Sequence, residues 1–224
     1  MQLNEKQKEA IDFVDGNLLI IASAGTGKTT TIVNRYINMV ENHNFSLDSI
    51  LMTTFTNKAA KDMIEKIKFR SNKIPKYIGT MHSIFLKFLR VNAKVLGLSE
   101  EFIILDDEND KTKIVKEILK SHGIKDSYEN IFYFMNKISK FKNRGILSED
   151  LDENSYSEDL EEGKVVEELF DDEFFEISTD LKKKVNLIYK KYQAYLKINR
   201  ILDFDDVLIY TFILFSKNKE ILNY

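Results

Sequence analysis

Eight residues near the N-terminus have the types and the order of a phosphate-binding loop. The segment Ala22-Ser-Ala-Gly-Thr-Gly-Lys28-Thr29 follows the pattern G-x-x-x-x-G-K-[ST], with Ala at the first position, where the residue only opens the turn. Gly25 and Gly27 let successive backbone N–H groups face a phosphate, and the following helix adds its positive N-terminal end. Lys28 would neutralise the outer phosphates, and the Thr29 hydroxyl would coordinate Mg²⁺. The segment therefore predicts a nucleoside triphosphate site.

A glutamine precedes this loop. The side-chain amide of Gln7 can donate and accept hydrogen bonds at the edge of an adenine base. The alternative is an ordinary glutamine on the surface of a helix.

A second group of polar and aromatic residues follows a predicted strand. In Thr54-Phe-Thr-Asn-Lys58, Phe55 is a candidate for stacking on a nucleobase and Lys58 for contacting a phosphate. The alternative is that Thr56 or Asn57 caps the next helix while Phe55 lies in the core.

A third group lies at the end of another predicted strand. In Gly79-Thr-Met-His-Ser83, the side chains of Thr80, His82 and Ser83 can donate hydrogen bonds to phosphodiester oxygens. The sequence offers His82 no nearby zinc ligands, so a metal-binding role is not expected. The alternative to a DNA contact is a histidine that caps or packs against a helix.

The elements that must position these residues alternate between strand and helix. We expect a short N-terminal helix with Ile11 and Val14 on its inner face, and later a helix that holds Phe85 and Leu89. This alternation predicts a parallel sheet wrapped by helices. The remaining elements are a buried strand at Leu18–Ile21, a helix from Lys28 with Ile32, Tyr36 and Val40 on one face, strands at Ser49–Phe55, Tyr77–Thr80 and Phe102–Leu105, and a helix at Asn57–Ile67.

The second half of the chain has a helical pattern. Glu108–Lys142 and Leu181–Ile198 both show apolar residues at helical spacing. The apolar positions are Ile114, Ile118, Phe132, Met135 and Ile138 in the first segment, and Val185, Ile188, Tyr192 and Tyr195 in the second.

Charge is distributed unevenly along the chain. The 224 residues carry a net charge of −3, yet Glu149–Asp180 holds 15 acidic residues and one basic residue. The other 192 residues have 32 basic and 21 acidic side chains, a net charge of +11, which suits a polyanionic partner. We expect the acidic block to be peripheral, although its Val165, Val166, Leu169 and Phe170 are compatible with one or two amphipathic turns.

Composition excludes several classes. Cysteine is absent, so neither a disulfide framework nor a thiolate metal site can form. The first residues lack the continuous apolar run of a secretory signal, and no stretch approaches the roughly 18 apolar residues of a membrane helix. We therefore expect a cytoplasmic protein.

Taken together, the segments resemble the UvrD/Rep/PcrA-type superfamily 1 DNA helicases. LNEKQKEAI, ASAGTGKTT, TFTNKAAKDM and GTMHSIF occur in the order and at the spacing of that family's first motifs. EFIILDDEND, SKFKNRGI and ILDFDDVLIY look like the segments that enter, cross and leave its inserted helical subdomain. The resemblance covers essentially the whole chain apart from the acidic block.

The resemblance implies an α/β fold with a RecA-like P-loop parallel sheet, flanking helices and an inserted, mostly helical subdomain. The expected domains are a first part of the motor lobe at 1–105, an inserted subdomain at 106–199 that includes the acidic block 149–180, and a return to the motor lobe at 200–224, ending before the Walker B motif.

The resemblance also implies roles for individual residues. Lys28 and Thr29 would be the catalytic residues, with Thr29 as the Mg²⁺ ligand, and single-stranded DNA would lie along Phe55, Asn57, Lys58, Thr80 and His82. ATP would be bound by Gln7 at the adenine, by Ala22, Ser23, Ala24, Gly25, Thr26, Gly27, Lys28, Thr29 and Thr30 at the phosphates, and by Arg35 near the nucleotide.

The implied parent protein is an ATP-dependent DNA helicase that translocates 3′-to-5′ on single-stranded DNA, unwinds duplex DNA and acts in processes such as DNA repair. Its second, C-terminal lobe would supply the opposing arginine. The chain alone is expected to be a monomer. It is also expected to be inactive, because Asp106, Asp107 and the acids of Asp203–Asp206 match structural positions of the family. The alternatives are the helicase arm of a RecB/AddA-type helicase–nuclease, or a short non-enzymatic module that binds nucleotide or DNA.

Overall fold

The structure is a computed structural model that describes residues 3–151 and 179–222. Most of the acidic block lies outside these residues, and so do the apolar positions from Val165 to Phe170. The chain divides into two compact units, Met1–Ile84 and Phe85–Tyr224, which are described one at a time.

The first unit has a two-stranded parallel sheet and helices. Leu51 pairs with Tyr77 and Thr53 with Gly79. The core is formed by Val33, Tyr36, Val40, Met52, Met63, Ile67 and Ile78. The elements are α1 Glu5–Asp12, α2 Lys28–Glu41, β1 Leu51–Thr53, α3 Asn57–Lys68 and β2 Tyr77–Gly79, after which α4 Met81–Asn92 leads into the second unit.

Local sequence signals define the ends of two helices in this unit. Asn4 and Gln7 form a capping box at the start of α1, in which each side chain bonds the backbone N–H of the other residue. The Thr56 hydroxyl accepts a hydrogen bond from Ala59 N at the start of α3. Both caps satisfy backbone donors that a helix leaves unpaired in its first turn.

The predicted strand at Leu18–Ile21 is wrong for the described structure. These residues have no regular secondary structure, and Leu19 and Ile21 are 82% and 86% exposed. A strand needs a neighbouring backbone to receive its hydrogen bonds, and within the described residues β1 and β2 pair only with each other. On the predicted inner face of α2, Tyr36 and Val40 are buried, whereas Ile32 is exposed and the neighbouring Val33 is buried instead.

The second unit is mostly helical and contains the other parallel strand pair. Its two cores are centred on Phe141 and Tyr189 and on Phe102 and Leu214. The elements are α4, a 3₁₀ turn at Ala93–Leu96, β3 Ile103–Leu105, α5 Glu108–Ser121, α6 Tyr128–Asn143, α7 Thr179–Ile198, β4 Ile201–Asp203, α8 Phe204–Lys217 and α9 Lys219–Leu222.

Strands β3 and β4 are neighbours in the sheet although they are far apart in the sequence. Ile103 pairs with Ile201 and Leu105 with Asp203, so the chain leaves this two-stranded sheet and returns to it roughly a hundred residues later in the same direction. A crossover of this kind is how parallel strands are connected.

Most of the predicted helical faces in this unit are confirmed. Val185, Ile188 and Tyr192 on α7 are buried, whereas Tyr195 is 42% exposed, and Phe132 on α6 is 60% exposed. Both exceptions were predicted to lie on apolar faces. Phe132 stacks on the exposed Tyr128, with ring centroids 6.4 Å apart, instead of entering the core. No helix within the described residues is long and apolar enough to cross a membrane.

Candidate nucleotide and nucleic-acid site

The phosphate-binding loop runs directly into α2. Gly25 and Gly27 have φ angles of +78° and +91°, in the left-handed region that glycine adopts without strain. Gly27 is also the N-cap of α2, and no side chain caps this helix. The first N–H groups of α2 are therefore not used by a side-chain cap, and an anion at this position can accept their hydrogen bonds.

Lys28 folds back over the loop. Its Nζ donates hydrogen bonds to the carbonyl oxygens of Ala22 at 2.6 Å and Ser23 at 2.7 Å. Both acceptors are neutral, so the ammonium charge has no anionic partner among the described residues. A phosphate oxygen would add the attraction of a full negative charge to the hydrogen bond, which a neutral carbonyl oxygen does not supply. A phosphate can therefore compete for this ammonium group.

Gln7 connects α1 to the loop. Its Oε1 accepts from Asn4 N at 3.0 Å, and its Nε2 donates to the Thr26 carbonyl at 3.1 Å. A Cβ added at Gly27 would lie 2.9 Å from Gln7 Nε2, so a side chain at this position would displace the Gln7 amide. Gln7 is thus more than an isolated surface glutamine, because it holds the loop against α1.

A cavity of about 160 Å³ lies between α1 and the loop. Its walls combine the apolar Ile20 and Ile21 with the polar ends of Gln7 and Lys28. The complete lining is Asn4, Lys6, Gln7, Ala10, Ile20, Ile21, Ala22, Thr26, Lys28 and Thr31. This combination of an apolar wall and a few convergent polar groups is typical of small-molecule sites.

Arg35 and Thr29 differ in how they are engaged. The Arg35 guanidinium donates to the Ala10 carbonyl at 2.9 Å and lies over the Phe13 ring, so it fastens α1 to α2. Its role near a nucleotide stays a prediction. The Thr29 hydroxyl has no hydrogen-bond partner in the part of the chain that the structure describes, which leaves it free to act as a metal ligand.

The carboxyl ends of β1 and β2 bring the second and third groups of candidate residues to one edge. Thr54 N donates to the Gly79 carbonyl at 3.0 Å just beyond the paired strands. Phe55 follows, with its side chain 97% exposed. Thr56 caps α3, as the alternative interpretation of this segment expected, but its other half, with Phe55 in the core, is wrong because the Phe55 side chain is exposed. Lys58, in the first turn of α3, is also exposed.

Thr80 starts the turn from β2 into α4. Its Oγ1 accepts from Ser83 N at 3.2 Å, and the Ser83 hydroxyl donates back to the Thr80 carbonyl at 2.8 Å. A Cβ on Gly79 would lie 2.3 Å from Ser83 Oγ, so a side chain at this position would displace the Ser83 hydroxyl from its hydrogen bond to Thr80. His82 is half-buried in the same turn. The turns that follow β1 and β2 are therefore both held by local hydrogen bonds, from Ala59 N to Thr56 and from Ser83 N to Thr80.

The acids that follow the other two strands serve as helix caps. Asp107 accepts from Asn109 N at 2.8 Å at the start of α5. Asp203 and Asp206 form a capping box at the start of α8. Both contacts are helix caps, so they account for these acids structurally.

Asp203 and Asp206 also surround a buried lysine. Lys142 Nζ lies 2.8 Å from both Asp203 Oδ2 and Asp206 Oδ1, and its side chain has no exposed surface. Tyr192 donates to Asp203 and Gln193 to Asp206. These five residues, the buried ion cluster, join α6, α7 and the start of α8.

The two carboxyl groups of the buried ion cluster titrate differently. Although burial alone would raise it, attraction to Lys142 and Lys111 holds the pKa of Asp203 below its usual range. Burial raises the pKa of Asp206 to about 6, and the neighbouring Asp203 charge adds to the rise while Lys142 opposes it.

Comparison with known proteins identifies this combination of loop and strand ends. The family model described as "UvrD/REP helicase N-terminal domain" matches residues 3–224. The chain belongs to this helicase family. The match includes the phosphate loop, both strand ends and the capping acids of this helicase N-terminal domain.

Similar proteins carry consistent names. The helicase N-terminal domain is 34% identical to a "Probable DNA helicase II homolog" of Rickettsia conorii and 36% identical to one of Mycoplasma capricolum, over 99% of this chain in each case. It is 31% identical, again over 99% of the chain, to an "ATP-dependent DNA helicase PcrA" of Staphylococcus epidermidis. The chain spans 31%, 28% and 28% of the lengths of these three relatives.

Sequence reasoning missed two structural partners of the helicase N-terminal domain. Asn4 holds Gln7 through the capping box, and the N-x-x-Q spacing was the signal that could have revealed it. Lys142 lies 61 residues from Asp203, and no local pattern distinguishes it from the other lysines of α6.

Proposed function

We propose that this chain is the nucleotide-binding and DNA-binding front part of an ATP-dependent DNA helicase. The observation that carries the proposal is the phosphate loop at the head of α2, with Lys28 bonded only to neutral carbonyls, in the same unit as the exposed Phe55 at the strand ends. The parent protein would couple ATP hydrolysis to 3′-to-5′ translocation on single-stranded DNA and to duplex unwinding.

The residues of the loop fit the triphosphate and its Mg²⁺. Gly25 has open space where a Cβ would project, so the loop can approach a ligand with its backbone. Lys28 would move from the Ala22 and Ser23 carbonyls to the phosphates, and the Thr29 hydroxyl would hold Mg²⁺. Gln7 borders the cavity beside the loop and would contact adenine. Bound ATP supplies the free energy that drives translocation.

The strand ends would form part of the DNA track. Phe55 would stack on a base, since base stacking on an aromatic ring tolerates any sequence. Asn57, Lys58, Thr80 and His82 would contact the phosphodiester backbone. Affinity for single-stranded DNA should therefore decrease with salt and depend little on base sequence.

We also propose that the region between β3 and β4 is an insertion in the motor lobe. Parallel pairing of Ile103–Leu105 with Ile201–Asp203 supports this division, because both flanks of residues 106–199 return to one sheet. The complete motor would contain a RecA-like parallel sheet and a second lobe. The chain alone should bind ATP without useful turnover, since Asp107, Asp203 and Asp206 cap helices and an opposing arginine is worth about 10³ to 10⁵ in rate.

Isothermal calorimetry with Mg-ATP tests the nucleotide site. Lys28→Ala should weaken binding by about 1.5–3 kcal/mol, the range for a charge-assisted hydrogen bond. Lys8→Ala, which removes an exposed lysine of α1, is the matched control and should bind as the wild type does. Equal affinities for the wild type and Lys28→Ala would overturn the assignment of the loop.

A further inference from the structure

Side-chain hydrogen bonds fasten the turn after α3 to helix α2, within the first unit. The bonds run from Arg70 to Asn34 Oδ1, from the Ser71 hydroxyl to Glu41 Oε1 at 2.7 Å, and from the Tyr36 hydroxyl to the Lys73 carbonyl at 2.8 Å. The two helices also share a core, in which Val33 of α2 and Ile67 of α3 are buried. A displacement of α3 therefore reaches α2 through both packing and hydrogen bonds.

One of these bonds continues to the phosphate-binding loop. Asn34 Nδ2 donates to the carbonyl of Thr30 at 2.8 Å, and Thr30 lies in the first turn of α2. A guanidinium group only donates and a carbonyl only accepts, so Asn34 must turn Oδ1 to Arg70 and its NH₂ group to Thr30. Arg70 thus fixes the amide in the orientation that holds the first turn. The N–H groups of this turn are the ones that can face a phosphate.

The Arg70 guanidinium has acids nearby but bonds the neutral amide. It borders a shallow surface pocket together with Asp62 and Glu65 of α3, yet the described part of the chain offers it no ion pair. Its hydrogen bond crosses to Asn34 on α2 instead. A hydrogen bond from a charged donor is stronger than one between neutral groups, so Arg70 can hold the amide although it is itself exposed.

The opposite end of α3 carries predicted DNA contacts. Thr56 caps the helix, Phe55 precedes the cap, and Lys58 lies in the first turn. The helix has 12 residues, so its ends are on the order of 18 Å apart at about 1.5 Å per residue. A single helix therefore connects the strand-end residues to the first turn of α2.

We propose that Arg70 and Asn34 are positioning residues that couple the nucleotide site to the strand-end track. Arg70 holds the Asn34 amide and the amide holds Thr30, so the position of α3 sets the geometry of the first turn of α2. A single strand bound at Phe55 and Lys58 changes the affinity of the loop for Mg-ATP through this chain of hydrogen bonds. Neither positioning residue contacts the phosphates. Because coupling is reciprocal, Mg-ATP changes the affinity for the strand by the same factor.

The proposal rests on the proposed function, since both a nucleotide and a single strand must bind. The quantity to measure is the coupling ratio, defined as the Kd of Mg-ATP without oligothymidine divided by its Kd with saturating oligothymidine. Calorimetry on the full 224-residue chain gives both values. For the wild type the coupling ratio should differ from unity by about 5-fold or more, as is typical of coupled sites. Anisotropy of labelled oligothymidine, with and without Mg-ATP, should give the same factor.

Three variants separate coupling from stability. Arg70→Leu should bring the coupling ratio close to unity while both ligands still bind. Ser71→Ala is the matched control, because it removes a bond from the same turn to Glu41, the last residue of α2, and should keep the ratio. In Asn34→Asp the new carboxylate can still accept from Arg70 but cannot donate to Thr30. This variant should stay as stable as the wild type in urea denaturation and lose the coupling ratio.

The outcomes differ for coupling and for simple support. A coupling ratio lost in Arg70→Leu and Asn34→Asp but kept in Ser71→Ala supports the proposal. Equal losses in Arg70→Leu and Ser71→Ala would show that these bonds only stabilise the turn and would overturn it. A wild-type ratio of about one, with both ligands bound, would overturn it and leave the proposed function intact. If the wild type fails to bind Mg-ATP or oligothymidine at all, the proposed function fails as well.

Discussion

The ammonium groups of two lysines in this chain have opposite kinds of partners and opposite degrees of burial. Lys28 is partly exposed and donates to two neutral carbonyl oxygens of its own loop. Lys142 is completely buried and lies 2.8 Å from two carboxylates. A lysine that must bind a ligand needs its charge uncompensated, whereas a lysine that joins helices needs it fully paired. The difference predicts that Lys28 matters for binding and Lys142 for stability.

Replacement of Lys142 should have the largest effect. Lys142→Met keeps most of the side-chain volume but leaves Asp203 and Asp206 buried next to each other without the ammonium group that lies 2.8 Å from both. Breaking a buried ion pair on one side costs about 3–5 kcal/mol, so we expect a loss of this size in the free energy of unfolding, measured by urea denaturation. Lys28→Ala should change it by less than about 1 kcal/mol.

A double variant tests whether the negative charge of Asp206 is what destabilises Lys142→Met. Lys142→Met combined with Asp206→Asn removes one of the two buried negative charges and should recover part of the lost stability. If the double variant is less stable than Lys142→Met by the full cost of Asp206→Asn alone, the two residues are not coupled, and the ion pair is not what stabilises this junction.

The pH dependence of stability gives the next largest effect. The pKa of Asp206 is raised from 3.8 to about 6, so between about pH 4 and 6 the folded chain holds a proton that the unfolded chain has released. Its contribution to stability is therefore complete below pH 3.8 and is lost as the pH rises through 6. The pKa of Asp203 is lowered, so its charged form stabilises the folded chain throughout this window. That stabilisation is lost only as the pH falls further.

Asp206→Asn should remove this component of the pH profile. Relative to the wild type, the variant should gain up to about 3 kcal/mol between pH 4 and pH 6.5, since one pKa unit corresponds to about 1.36 kcal/mol. Urea denaturation across this range measures the difference. Because the group is buried, the difference should persist in 1 M NaCl, where exposed charges are screened. If the free energies of unfolding of the wild type and Asp206→Asn change in parallel with pH, both at low salt and in 1 M NaCl, Asp206 does not bind the proton.

The same contrast explains how much could be predicted from sequence. The phosphate loop and the caps of α3 and α8 are local patterns, so the positions of Lys28, Thr56 and Asp203 were predictable from their neighbours. The apolar run Leu18–Ile21 was predicted as a strand from its composition, but strand formation depends on a partner backbone that the run itself does not specify. The buried partner of Asp203 was also beyond local patterns, because it lies 61 residues away on α6.

The smallest effect distinguishes two exposed phenylalanines at opposite ends of α3. Phe55 lies at the strand ends and is 97% exposed, and Phe69 follows the helix and is 90% exposed. Neither contributes core packing, so Phe55→Ala and Phe69→Ala should leave the free energy of unfolding within about 0.5 kcal/mol of the wild type. Only Phe55→Ala should weaken binding of a labelled oligothymidine, by about 1–3 kcal/mol for the loss of one base stack.

Fluorescence anisotropy at one fixed salt concentration measures both variants against the wild type. Equal losses for Phe55→Ala and Phe69→Ala would mean that exposed aromatic rings bind single strands without regard to position, and the strand-end track would be wrong. If only Phe55→Ala loses affinity for the oligothymidine, Phe55 is a binding residue and Phe69 is not, although both side chains are exposed. Lys28 and Phe55, which are predicted to bind ligands, have no anionic partner and no core contact respectively among the described residues, whereas Lys142 finds its carboxylate partner Asp203 61 residues away.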